Sequence, residues 1–98
     1  MPYAVTILDR AECEHLRPQH QAAHYRYLKQ NEHLILLRGG FQDPQGAFIG
    51  GLLVLDLPTV QAVQDFIGDD PYALAGMHGE VSIRRFAPAY CADVARWR

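Results

Sequence analysis

The chain opens on YAVTIL, Tyr3 to Leu8, a run of β-branched and aromatic residues directly after Pro2 that predicts a first strand. Asp9 and Arg10 leave it. Between Pro18 and Gln30 the spacing changes: His20, Ala23, His24, Tyr27 and Leu28 recur at threes and fours, the period of a helix with one buried face. Pro18 suits the first helical position, where its missing N–H costs nothing, and Asn31 is a stop. Ala11 to Arg17 are compatible with a preceding helical turn.

HLILLR, His33 to Arg38, reads as a second strand ended by Gly39-Gly40. The turn composition Gln42-Asp43-Pro44-Gln45-Gly46 leads into AFIGGLLVL, Ala47 to Leu55, a third strand and the partner of the second in a hairpin. Gly50 and Gly51 inside it predict a bulge or a close approach by another group. Pro58-Thr59 starts a second helix with Val60, Val63, Phe66 and Ile67 as its apolar stripe, ended by Gly68. A short helical turn follows Asp70-Pro71-Tyr72, and Val81 to Phe86 is a fourth strand.

The order β-α-β-β-α-β is that of a ferredoxin-like α+β protomer, an antiparallel sheet with both helices on one side. The other face then needs a cover. Alternating Ile35, Leu37, Leu53 and Leu55 are apolar enough for sheet packing, which predicts a homodimer. The tail from Ala87 to Arg98, with Tyr90 and Trp97, is either a clasp on that partner or a frayed end.

A length of 98 residues supports one domain, with a core over about 3–86, and leaves no room for a separate cofactor domain. At 49% hydrophobic and 20% charged residues, the chain has enough apolar surface to fold. Lys and Arg total 9 against 11 Asp and Glu, so the net charge of -2 provides no footprint for nucleic acid. No basic stretch followed by an apolar run opens the chain, and no apolar segment approaches a membrane span; a cytoplasmic protein is expected. Cys13 and Cys91 have neither CxxC nor zinc-ligand spacing and read as reduced thiols.

Five histidines are the main chemical resource. His20 and His24 share a helical face at i, i+4, a spacing that can hold a transition metal, but no HExxH pattern or third ligand accompanies them; packing is the competing reading, and no metal is expected. His24 belongs to the face that borders the sheet, and an imidazole titrating near ~6.5 can accept a proton at physiological pH. Pro71 disfavours the α conformation for Asp70, so its carboxylate either caps the turn through Tyr72 or orients an imidazole.

Taken together, Arg17-(six residues)-His24-Tyr25-Arg26-Tyr27-Leu28, Leu37-Arg38-Gly39-Gly40, Asp43-Pro44-Gln45-Gly46, Ile49-Gly50-Gly51 and Asp70-Pro71-Tyr72-Ala73-Leu74-Ala75-Gly76 resemble the YciI-like (YCII-related) family from about Tyr3 to Phe86. The resemblance implies a dimeric α/β barrel of ferredoxin-like protomers. It also implies that His24 and Asp70 match the family's catalytic pair. Family chemistry, elimination of chloride from a chlorinated hydroxyhydroquinone and proton movement in related muconolactone isomerases, is acid-base work without a cofactor. Three positions depart from the pattern: Gln21 where a basic residue is common, Gly51 where a serine is, and Gly40-Phe41 in place of Gly-Pro.

The expectation is therefore a cofactor-independent lyase or isomerase on a small cyclic or aromatic substrate, with His24 as base or acid and Asp70 orienting it. Tyr72, Tyr27 and Gly51 are candidates for lining the substrate pocket, with core packing the alternative for each tyrosine. The competing functions are a non-catalytic dimeric domain that binds a small ligand or a protein, and a cofactorless monooxygenase.

Overall fold

Tyr3, Val5 and Ile7 point to one side of the first strand and are buried there, while Thr6 and Leu8 on the other side are exposed. That alternation seeds the sheet. In the computed structural model, which describes residues 2–92, the strand is β1 (Tyr3–Asp9), followed by α1 (Leu16–Gln30), a 3-10 turn (Glu32–Leu34), β2 (Ile35–Gln42), β3 (Phe48–Leu55), α2 (Val60–Gly68), α3 (Pro71–Leu74) and β4 (His78–Arg85). The four strands are antiparallel in the order β2-β3-β1-β4, the ferredoxin-like arrangement expected from the element order. Trp97 and the end of the tail lie outside the described residues.

The helices explain where the core sits. α2 begins at Thr59, whose side chain accepts the Ala62 N–H, and it buries Val63, Phe66 and Ile67 against β1 and β3 residues Val5, Leu53 and Leu55. Val60, in its first turn, remains 44% exposed rather than completing the stripe. α1 differs: the expected face of His20, Ala23, His24, Tyr27 and Leu28 is there, yet only Leu28 is fully buried. Of the others only His24 borders a cavity, which α1 lines with Arg17, Pro18, Gln21, His24, Tyr25 and Leu28. Helix α1 also starts earlier than Pro18, which sits in the first turn where backbone N–H groups have no intrahelical partner.

Two strand boundaries differ from the sequence reading by three residues or more. Gly39-Gly40 do not end β2, because Gly39 stands opposite Leu52 and Gly40 opposite Gly51 in the ladder. A Cβ on Gly40 would fall 2.6 Å from the Phe48 ring, so the missing side chain admits an aromatic one. β4 starts at His78 rather than Val81. The expected close approach at Gly50 is present: a Cβ there would meet the Ile7 carbonyl oxygen at 2.0 Å.

Regular alternation fails at three places, one of them between Ile35 and Leu37 on β2, and the two nearer the cavity each turn a side chain inward. Between β2 and β3, Phe41 faces Gly50 but Gln42 faces Phe48, so β3 has one extra residue. Between β1 and β4, Ile7 faces Val81 but Asp9 faces His78, so β4 has one extra residue. A bulge shifts every later residue to the opposite face. Phe48 and His78, which a period of two would assign to the outer face, both line the cavity under α1.

Candidate functional site

The cavity has a volume of about 540 Å³ and lies between the first half of α1, α3 and the inner face of the sheet. Ile7, Leu28, Leu53 and Phe48 give it apolar walls, and Gly51 leaves room on its floor. His24 from α1 and Asp70 and Tyr72 from the start of α3 meet at the cavity across 46 residues of sequence.

Asp70 is 4% exposed, so its carboxylate must be satisfied by protein groups. Its Oδ1 accepts the Tyr72 N–H at 2.9 Å, capping α3. The same oxygen and Oδ2 also accept from His24 Nδ1, at 2.8 and 2.9 Å. The cap and the orienting role, alternatives in the sequence, are thus filled by one carboxylate at once. Pro71 at the first helical position holds Asp70 in the extended conformation that permits both.

A carboxylate can only accept, so the hydrogen lies on His24 Nδ1 and Nε2 is left as the proton acceptor. The ring has little freedom. Tyr72 stacks on it with centroids 3.9 Å apart and planes 16° apart, and Tyr25 lies tilted at 5.5 Å. Burial raises the Tyr72 phenol above its ordinary 10.0, opposed by the Arg17 guanidinium and reinforced by Tyr25, Asp70 and Asp9. Tyr72 therefore faces the cavity as a neutral hydroxyl.

Tyr27 is placed elsewhere and corrects the expectation that it lines the pocket. Its hydroxyl donates to the Phe66 carbonyl at 2.7 Å and its ring packs on Phe66 at 5.2 Å, tying α1 to α2. Burial, with smaller contributions from Asp69 and Asp70, pushes its phenol up to about 12. Among the described residues no group of three or more His, Cys, Asp or Glu side chains is placed to hold a metal ion, and His24 Nδ1 is occupied by Asp70. Cys13 is buried and Cys91 exposed; both are free.

Four cavity residues, Asp9, Arg17, Arg38 and His78, were not among the candidate site residues read from the sequence. Asp9 and Arg17 form a two-pronged pair, Nε to Oδ2 at 2.8 Å and Nη2 to Oδ1 at 3.1 Å, and the guanidinium stands 5.3 Å from the Tyr72 ring centre. A signal existed: Asp9 continues the buried Tyr3, Val5, Ile7 alternation, and Arg17 precedes His24 by two helical turns. Arg38 reaches the cavity from β2 and lies 5.8 Å from the Tyr25 ring centre. His78 enters through the β4 bulge, which leaves no mark in residue periodicity.

The family model described as YCII-related domain matches residues 1–87. Among solved structures, the 5-chloro-2-hydroxyhydroquinone dehydrochlorinase from Burkholderia phenoliruptrix AC1100, in complex with 2,5-dihydroxybenzoquinone, superposes with a TM-score of 0.83 at 22% identity, over 91% of this chain and 96% of that one. At that identity the likeness establishes the shared fold. No curated protein matches the sequence. No helix among the described residues is long and apolar enough to cross a membrane.

Proposed function

The chain belongs to the YCII-related domain family, and from that premise we propose that it is a cofactor-independent lyase or isomerase that moves a proton on a small cyclic or aromatic compound. One observation carries the reading: His24 Nδ1 is held by both oxygens of a buried Asp70, which leaves Nε2 as a base beside a cavity with apolar walls. The arrangement is the imidazole-carboxylate half of a hydrolase triad, without a nucleophile in front of it.

His24 Nε2 takes a proton from a C–H or O–H of the bound ring, and Asp70 stabilises the imidazolium that results. The C–H or O–H electron pair stays on the substrate. If a halide leaves with a pair, a double bond forms, the halide departs and His24 returns its proton to solvent. If nothing leaves, the proton is delivered to another carbon and the product is an isomer. Tyr72 and Gly51 are proposed to contact the ring, the first through its neutral hydroxyl and the second by leaving space. A second copy of the chain is the proposed cover for the open sheet face, where Leu8 is 41% exposed.

The test uses 5-chloro-2-hydroxyhydroquinone, the compound named for the structural neighbour, with chloride release as the readout. His24→Gln should reduce turnover by about 10²-fold or more, the range of a lost general base. Asp70→Asn should also lose turnover while the protein stays folded, because Asn caps a helix as well as Asp does. Turnover unchanged in His24→Gln overturns the proposal. Binding of 2,5-dihydroxybenzoquinone without any chloride release favours a ligand-binding domain instead.

A further inference from the structure

His78 is a histidine that the acid-base pair does not use. It stands opposite Asp9 at the first residue of β4, on the inner side of the sheet because of the extra residue between it and Val81. Gly79 makes the bulge possible: a Cβ there would lie 3.0 Å from the Leu8 carbonyl oxygen and 3.1 Å from the Arg10 nitrogen. His78 lines the same cavity as His24 and Asp70.

Among the described residues the His78 ring makes no hydrogen bond, in contrast to His24. Yet no buried side-chain nitrogen or oxygen among them lacks a partner, so the His78 nitrogens must reach open space. His78 is one of the residues that line the cavity. A polar ring with open nitrogens beside a reaction site is a contact for whatever fills that site.

We propose that His78 is a second substrate-contacting imidazole, donating its N–H to the ring oxygen on which charge gathers as His24 removes the proton, an inference that rests on the acid-base reading above. The groups that act on it from the surrounding elements are Asp9 on β1, Arg17 and His24 on α1, and Asp70 before α3. Burial is the largest influence and holds the imidazole below its ordinary 6.5; Asp70 and Asp9 oppose this, and His24 and Arg17 reinforce it. At neutral pH the ring is therefore uncharged, with one N–H to donate. Neutral imidazoles with lowered pKa polarise carbonyl oxygens in the same manner in other enzymes.

The electron count is closed within the substrate. When Nε2 of His24 takes the proton, the pair left behind spreads onto a ring oxygen, and the hydrogen bond from His78 strengthens. No bond to His78 forms or breaks. The pair then expels the halide or recaptures a proton, and the oxygen returns to its starting charge. A fixed donor aimed at a developing oxyanion favours the transition state over the ground state. The substrate class narrows accordingly, to rings bearing a hydroxyl or carbonyl oxygen conjugated with the acidic position.

The test is binding of 2,5-dihydroxybenzoquinone to the full chain, followed by titration calorimetry and by nitrogen-15 spectra of the histidine rings. His78→Phe, which keeps the ring shape without the N–H, should weaken binding by about tenfold, the ratio for a hydrogen bond to a charged acceptor. His78→Gln, which restores a donor, should recover part of that loss. In wild type the ring signals of both His24 and His78 should move on addition of the quinone. Movement at His24 with an unmoved His78, or wild-type affinity in His78→Phe, overturns this proposal alone. No movement at either ring overturns the acid-base reading and this inference with it.

Discussion

His24 and His78 present the same side chain to the same cavity, but their surroundings assign them different hydrogen-bond roles. His24 has a carboxylate on one nitrogen; His78 is held below its ordinary pKa chiefly by burial and has no side-chain hydrogen-bond partner among the described residues. The second condition has a pH signature. A histidine whose folded pKa lies below its unfolded value stabilises the fold fully above the unfolded value, and that stability is lost as pH falls through the folded one. The melting temperature of wild type should therefore drop faster than that of His78→Gln as pH is lowered below about 6.5, and the two curves should run parallel above it; parallel curves throughout would mean the ring is not desolvated. At this scale the sequence singled out His24, Asp70, Tyr72 and Gly51 through resemblance to spaced motifs, and all four line one cavity. Tyr27 was misplaced because a tyrosine on a half-apolar helix face fits a cavity and a helix-helix contact equally well until the neighbour, Phe66, is known.

Among the elements, α2 was the more legible helix, since its stripe faces packed side chains and its start is written in Thr59. Thr59→Ala removes the acceptor for the Ala62 N–H and should cost about 1 kcal/mol in chemical denaturation. The change lies away from the cavity-lining residues, so binding of the quinone should be unaffected. α1 was legible in extent but not in environment: His24 and Leu28 of its apolar face border a cavity while Tyr27 packs on Phe66, and a periodicity that marks a face says nothing about whether side chains or open space lie behind it. The second strand was cut short at Gly39-Gly40 because paired glycines usually punctuate. Here they stay in the ladder, and their lack of side chains serves Phe48.

For the whole molecule the topology followed from the order of elements, since a β-α-β-β-α-β chain has few ways to bury two helices on one side of a sheet. The proposed second copy is argued at this scale too. Leu8 is exposed, and Leu52 and Phe41 are half-buried, on a face that carries no helix. Sedimentation at micromolar concentration should give twice the chain mass of 11.1 kDa, and a monomer would remove the barrel arrangement while leaving the protomer intact. The two bulges beside the cavity bear on how such a protein can change over time. Each separates the strand end at the cavity from the alternation that serves the core, so gaining or losing one residue at Ile49 or Gly79 changes which side chain faces the cavity while Leu53, Leu55 and Ile83 keep their places. The lining of such a cavity can then diversify through single-residue changes in length, which a comparison of substitutions alone would overlook.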